Sequence, residues 1–148
     1  MMSHLDSVEK REIGWAEYVD LPDWHIRQLR AKIDTGAETS AIHVEDVERL
    51  PRGRVRFCVV LSRKDHQRRV HVTAKITRRT RVRSSTGHYS LRYFVSTRIR
   101  IGPVEKTIEV SLISREHMTF RMLIGRSALE RNFLVNPGKR YHLTKKRK

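Results

Sequence analysis

Apolar and polar residues alternate in short runs over most of this chain, and turn residues interrupt the runs before any becomes a long helix. Val55, Phe57, Val59 and Leu61 alternate with Arg54, Arg56, Cys58 and Val60. A period of two places each set on its own face of a β-strand. Trp15 to Val19, Leu29 to Ile33, Arg69 to Ile76 and Lys106 to Ile113 repeat the pattern. Turn signals recur roughly every 8–12 residues, which predicts an all-β barrel or sandwich. The one clear helix signal is Ser127 to Arg131, where Ser127 precedes Glu130 at capping-box spacing. Val47 to Leu50 reads as a short helical turn stopped by Pro51.

Two hairpins stand out. Arg54–Leu61 and Arg69–Ile76 pair into one with a basic face. Val82 to Arg100 forms another, with the polar tip Ser84-Ser85-Thr86-Gly87-His88. Met122-Leu123-Ile124 is a fully apolar strand ending at Gly125. Phe133 to Val135 and Arg140 to Leu143 read as terminal strands. The organisation expected is a flexible lead over 1–13, one domain over 14–143 and a basic tail over 144–148.

At 148 residues the chain is large enough for one domain with a real core. It has no apolar run long enough to span a bilayer and no apolar signal segment near Met1, so a cytoplasmic protein without membrane contact is expected. Cys58, the only cysteine, sits in an apolar run and reads as a buried, inert thiol. The net charge of +16 is unevenly placed: residues 51–100 hold 15 Lys/Arg against the single acid Asp65. So strong a local positive potential points to an acidic peptide or a nucleic acid as partner.

The stretch Ala31-Lys32-Ile33-Asp34-Thr35-Gly36-Ala37 carries the chemistry. A strand end holds the carboxylate rigidly, a neighbouring hydroxyl ties the loop, and glycine admits a second carboxylate or a substrate backbone. The motif occurs once. Acid–base hydrolysis by paired carboxylates would need a second copy of the chain.

Asp34-Thr35-Gly36-Ala37, followed far downstream by Met122-Leu123-Ile124-Gly125-Arg126, resembles the retropepsins, homodimeric aspartic proteases of retroviral type. Gly14-Trp15, the block from Lys32 to His43, Val82 to Gly87 and Met122 to Leu129 resemble, in the same order, a bacterial retropepsin-like aspartic peptidase family. That family has often been labelled an ATP-dependent zinc protease. Asn136 departs from it, since the family usually has Asp there. The sequence speaks against the zinc label: it has no His-Glu-x-x-His, no Cys-x-x-Cys and no phosphate loop, and His66 and His71 are a weak metal signal. No metal and no cofactor is expected.

The resemblance implies a small closed barrel of retropepsin type with one short C-terminal helix. It implies that Asp34 is the catalytic carboxylate, that Thr35 braces the two loops at a dimer axis, and that Gly36 and Ala37 accept close substrate approach. Two Asp34 side chains would share a proton, one activating water while the other donates to the scissile carbonyl. Gly87 stands 38 positions before Gly125, near the family's flap spacing, so Ser84, Ser85, Thr86 and Gly87 become the substrate-covering tip. The 91-residue separation of Asp34 from Gly125 exceeds the retroviral one, and the basic hairpin around 52–79 fills the excess. Glu38, four residues after Asp34, is expected to pair with Arg126 and anchor the loop beside Gly125. His43, nine residues after Asp34, reads as a hydrogen-bonded structural histidine, the alternative being a metal or proton-shuttle role.

Two functions follow as expectations. One is a homodimeric aspartic endopeptidase acting on acidic or glutamate-rich peptides. The other is a catalytically idle module on the same scaffold, contacting RNA, the ribosome or an acidic protein through its basic middle segment.

Overall fold

The computed structural model describes residues 9–146. Ten strands follow one another: β1 (Arg11–Ile13), β2 (Ala16–Leu21), β3 (Ile26–Ile33), β4 (Ser40–Leu50), β5 (Arg54–Val60), β6 (Arg69–Arg83), β7 (Tyr89–Ile101), β8 (Val104–Ile113), β9 (Met122–Ile124) and β10 (Phe133–Val135). A single helical turn, α1 (Arg126–Leu129), lies between β9 and β10. Among the described residues no helix is long and apolar enough to cross a membrane.

Most of the sheet is built by hairpins between sequence neighbours, which antiparallel alternation favours. β5 pairs with β6 from Arg54↔Lys75 to Val60↔Arg69, and β6 with β7 out to Arg83↔Tyr89. The exception is β9, inserted between β3 and β4. It runs parallel to β3, with Ile33↔Ile124, and antiparallel to β4, with Ile42↔Met122. All three residues of β9 are apolar, as a strand flanked on both sides requires.

The expected closed barrel is corrected. The main sheet is an eight-stranded mixed sheet in the order β2-β3-β9-β4-β5-β6-β7-β8, and it does not close. Its last strand, β8, turns back onto the interior strand β4, from Ser40↔Val110 to His43↔Ile113, instead of meeting β2. β2 reaches β7 only at Asp20↔Arg100. The two ends of the order, β2 and β8, do not pair, so the eight strands do not join edge to edge in one ring, which a barrel of all eight would need. β1 and β10 form a separate parallel pair.

Local expectations differ in four places. Val47–Leu50 continues β4 as strand, because cross-strand pairing with Arg54 and Val55 overrides its short helical signal. The helix begins at Arg126 with Gly125 as N-cap, and no side chain caps it, so the Ser127–Glu130 box is not used. Arg140–Leu143 is irregular: the Tyr141 amide donates to Ala16 O and the His142 and Leu143 amides to the Glu17 carboxylate, with no ladder. Arg11–Ile13, inside the expected lead, is strand β1. Residues 1–8 of that lead and 147–148 of the expected tail lie outside the described residues.

The alternating residues meet in one core, where Ile13, Leu21, Ile42, Phe57, Met122 and Ile124 are completely buried. Each such side chain contributes about 1.5–3 kcal/mol by leaving water. Trp24 packs edge-on against Phe57 at 5.4 Å between ring centres. Cys58 is buried and free, as its apolar run suggested.

Candidate active site

The β9 insertion positions the Asp34 loop. β3 and β4 are not neighbours, so residues 34–39 must arch over the end of β9 to join them. That brings Asp34 beside Gly125, which follows β9 directly. Five hydrogen bonds fasten the two segments. The Asp34 amide donates to Ile124 O at 2.8 Å, the Arg126 amide to Ala37 O at 2.7 Å and the Ser127 amide to Glu38 O at 3.0 Å. The Gly125 amide donates to Ser40 Oγ at 3.0 Å, and Arg126 Nη1 to Thr35 O at 3.1 Å.

Gly125 is glycine for a steric reason. A Cβ there would lie 2.6 Å from Thr39 C and 2.9 Å from Glu38 O, both main-chain atoms that cannot move aside. Within the loop, Asp34 Oδ1 accepts the Gly36 amide at 3.1 Å, an Asx turn that orients the carboxylate. Asp34 is half-buried, while Thr35 and Gly36 are exposed. The loop therefore presents one carboxylate, held by backbone bonds, to an open surface.

The expected Glu38–Arg126 ion pair does not form. Glu38 is exposed, and the Arg126 side chain bonds the Thr35 carbonyl. Glu38 instead acts on Arg78 of β6. A hydrogen bond to Glu109 is the main reason the Arg78 guanidinium sits above its ordinary value, and Glu38 adds a smaller attraction.

Ser84, Ser85, Thr86 and Gly87 form the tip of the long β6–β7 hairpin. The Ser84 amide donates to His88 O at 2.8 Å and the Gly87 amide to Ser84 O at 3.0 Å, with Gly87 at φ +87°. Tyr89 and Leu91 are exposed beside the tip, and the Arg81 guanidinium lies 4.4 Å from the Tyr89 ring centre. Among the described residues no hydrogen bond or ion pair joins this tip to the Asp34 loop.

His43 is fully buried. Its Nδ1 accepts the Arg115 amide at 2.9 Å, so the ring proton resides on Nε2 and is donated to Glu45 at 3.1 Å. That hydrogen bond is the first cause of the lowered pKa of Glu45. His66 bonds Arg63 O, and His71 lies 3.1 Å from Cys58 Sγ.

Ser40 and Glu17 are structural partners that sequence reasoning missed. Ser40 stands inside the Lys32–His43 block, so the motif held the signal. Glu17 carried none, since an acid at a polar strand position reads as solvent-facing. It is completely buried because residues 139–144 fold over it. Its carboxylate accepts the amides of Gly14, His142, Leu143 and Thr144, together with the Thr144 hydroxyl, at 2.7–3.1 Å.

A carboxylate loop clamped to a Gly-Arg turn across an inserted strand is the framework of a retropepsin-like hydrolase, and the comparisons agree. The profile of a family described as RimB-like, retropepsin-like aspartic endopeptidase RimB, matches residues 12–146, and the chain belongs to that family. It is also similar to proteins described as probable alpha-L-glutamate ligases. That of Desulfotalea psychrophila is 29% identical over 133 residues, 88% of this chain and 29% of the relative. That of Shewanella pealeana is 29% identical over 137 residues, 90% of this chain and 30% of the relative. The chain thus spans about three tenths of the length of these relatives. The crystal structure of a Legionella pneumophila protein of unknown function (DUF785) has the same fold, with a TM-score of 0.74 at 22% identity, covering 91% of this chain and 99% of that one.

Proposed function

We propose that this chain is an aspartic-type endopeptidase that works as a pair of copies, each contributing Asp34. The observation that carries the reading is the clamp between residues 34–38 and Gly125-Arg126, which holds a carboxylate in place by backbone hydrogen bonds at an exposed surface. Preorganisation of this kind is what acid–base hydrolysis needs. Gly36 leaves room for a second carboxylate and, with Ala37, for a peptide backbone. Thr35 braces the facing loop, and Glu38, Gly125 and Arg126 support the arrangement.

In the proposed reaction one Asp34 is ionised and its partner protonated. The ionised carboxylate takes a proton from water as the water oxygen bonds to the scissile carbonyl carbon. The protonated carboxyl gives its proton to the carbonyl oxygen, forming a tetrahedral gem-diol. The carboxyl that took the water's proton then gives it to the amide nitrogen, the other carboxylate takes a proton from a gem-diol hydroxyl, the C–N bond breaks, and a carboxylic acid and an amine leave with both carboxyls restored. The β6–β7 hairpin, through Ser84, Ser85, Thr86 and Gly87, covers the substrate. Acidic, glutamate-rich peptides suit the basic segment 51–100, and the relatives described as probable alpha-L-glutamate ligases concern the same amino acid. The cytoplasm, where such ligation would occur, is the compartment this reading implies.

Incubating a glutamate-rich peptide with wild type and with Asp34→Asn tests the reading. Cleavage by wild type that falls at least 100-fold in the variant is expected. Equal cleavage by both would overturn it.

A second reading, a catalytically idle module contacting RNA, the ribosome or an acidic protein, is favoured by the exposed hairpin, where Arg81 and Arg83 lie against the Tyr89 ring. It is the reading that survives if wild type cleaves nothing yet retains RNA through that hairpin.

A further inference from the structure

A second site lies at the opposite end of β3 from Asp34. Arg27 to Arg30, the loop 61–68 and residues 119–121 enclose a cavity of about 770 Å³, within the range of small-molecule sites. Arg27 is seven residues before Asp34, on the order of 20 Å along the strand. Of the residues lining the cavity, seven are Lys or Arg, and among the described residues none is Asp or Glu.

Arg121 forms its buried wall. This side chain is 3% exposed, and only Nη1 is bonded, to Glu116 O at 3.1 Å. Nε and Nη2 have no hydrogen-bond partner among the described residues. Glu45 and Glu116 lie close enough to act on the guanidinium, yet neither forms an ion pair with it. A buried cation with two unpaired donors is costly unless an anion approaches it. Around the rim, Arg27, Lys64 and Arg68 have no side-chain partner among the described residues. Arg30 is held by Tyr141 Oη at 2.8 Å.

We propose that this cavity binds a small ligand carrying several linked phosphates. Two features select this chemistry. Five of the seven cations are arginines, whose planar forks engage oxyanions through paired hydrogen bonds. The charge is also compact. An extended acidic peptide presents same-face carboxylates roughly 6.5–7 Å apart, too sparse to neutralise seven cations around one small-molecule volume, whereas linked phosphates concentrate their charge. The site is separate from Asp34 and does not depend on the proposed peptidase reaction.

Calorimetric titration of the full chain with tripolyphosphate, at low salt and again at ~0.15 M, tests the proposal. Saturable one-site binding is expected, at least ten-fold tighter than for inorganic phosphate or triglutamate. Arg27→Glu and Arg68→Glu, both at exposed rim positions, each weaken it at least ten-fold. Arg54→Glu, at the far end of β5, changes it less than two-fold, and Asp34→Asn leaves it intact. A shift of the Arg121 Nε–H resonance on titration places the ligand against the buried wall. Absence of saturation, equal losses in Arg54→Glu and Arg68→Glu, or triglutamate binding as tight as tripolyphosphate would each overturn the proposal, the last in favour of a peptide.

Discussion

Arg126 donates from Nη1 to the carbonyl oxygen of Thr35 at 3.1 Å, and no carboxylate completes the contact. The arginine therefore ties the carboxylate-bearing loop through main chain. Arg126→Met should destabilise by about 1 kcal/mol, below the ~1.5–3 kcal/mol of hydrogen bonds to charged groups because the residue is exposed. Glu38→Gln should change stability by less than ~0.5 kcal/mol. Urea denaturation of the two variants separates this arrangement from an ion pair, in which both would lose comparable amounts.

Gly125 predicts a larger effect. An added methyl would meet Thr39 C at 2.6 Å, so β4 or α1 must shift. Gly125→Ala should cost about 2–3 kcal/mol, lowering the melting temperature by roughly 5–10 °C. A melting temperature equal to wild type would show that the two segments are less tightly joined than their hydrogen bonds imply.

Glu17 is a test of the C-terminal closure. Gln in its place keeps one acceptor oxygen and turns an NH2 toward amide donors that the carboxylate now satisfies. Glu17→Gln should lose about 3 kcal/mol. Limited proteolysis should cut residues 139–146 faster than in wild type, and unchanged protection would contradict the anchoring role.

Asp23 predicts an acid-sensitive contribution. Its carboxylate accepts the Arg98 side chain at 2.8 Å and the Arg98 amide at 3.1 Å, and these bonds lower its pKa below the usual value of 3.8. Because the folded value lies below the unfolded one, the contribution is fully present above about pH 4–5 and is lost as pH falls through the folded value. The stability gap between wild type and Asp23→Asn should be constant near neutrality and shrink below about pH 4. A gap independent of pH down to the acid transition would show that the pairing does not depend on ionisation.

Gly87 links the hairpin tip to the proposed reaction. At φ +87° an alanine is strained by roughly 1–2 kcal/mol. That strain is a cost to the native state even at an exposed tip, so Gly87→Ala should lower stability by about the same amount and move the urea midpoint down accordingly. Peptide kcat/KM should fall several-fold, and an unaltered value would remove the tip from the substrate path.

Particular residues show how far the sequence could be read. Met122-Leu123-Ile124 announced a short, fully apolar strand, and Ser84 to His88 announced a hairpin tip, because composition and turn chemistry act over a few residues. The Glu38–Arg126 pairing was inferred from spacing, yet side-chain partners are chosen among groups that converge in space, and the Thr35 carbonyl lies within reach of Arg126. Val47–Leu50 looked helical only until β5 supplied its ladder.

By itself, the sequence determined the strand periodicity, the Asp34 and Gly125 motifs and the uneven positive charge, since each rests on local pattern. Only the tertiary structure decided that β8 folds back onto β4 and leaves the sheet unclosed, that Glu17 is buried under the chain's last residues, and that seven cations converge on one cavity. These are non-local outcomes: they depend on which strand edges remain unpaired and which charged side chains share a volume once the apolar faces have packed.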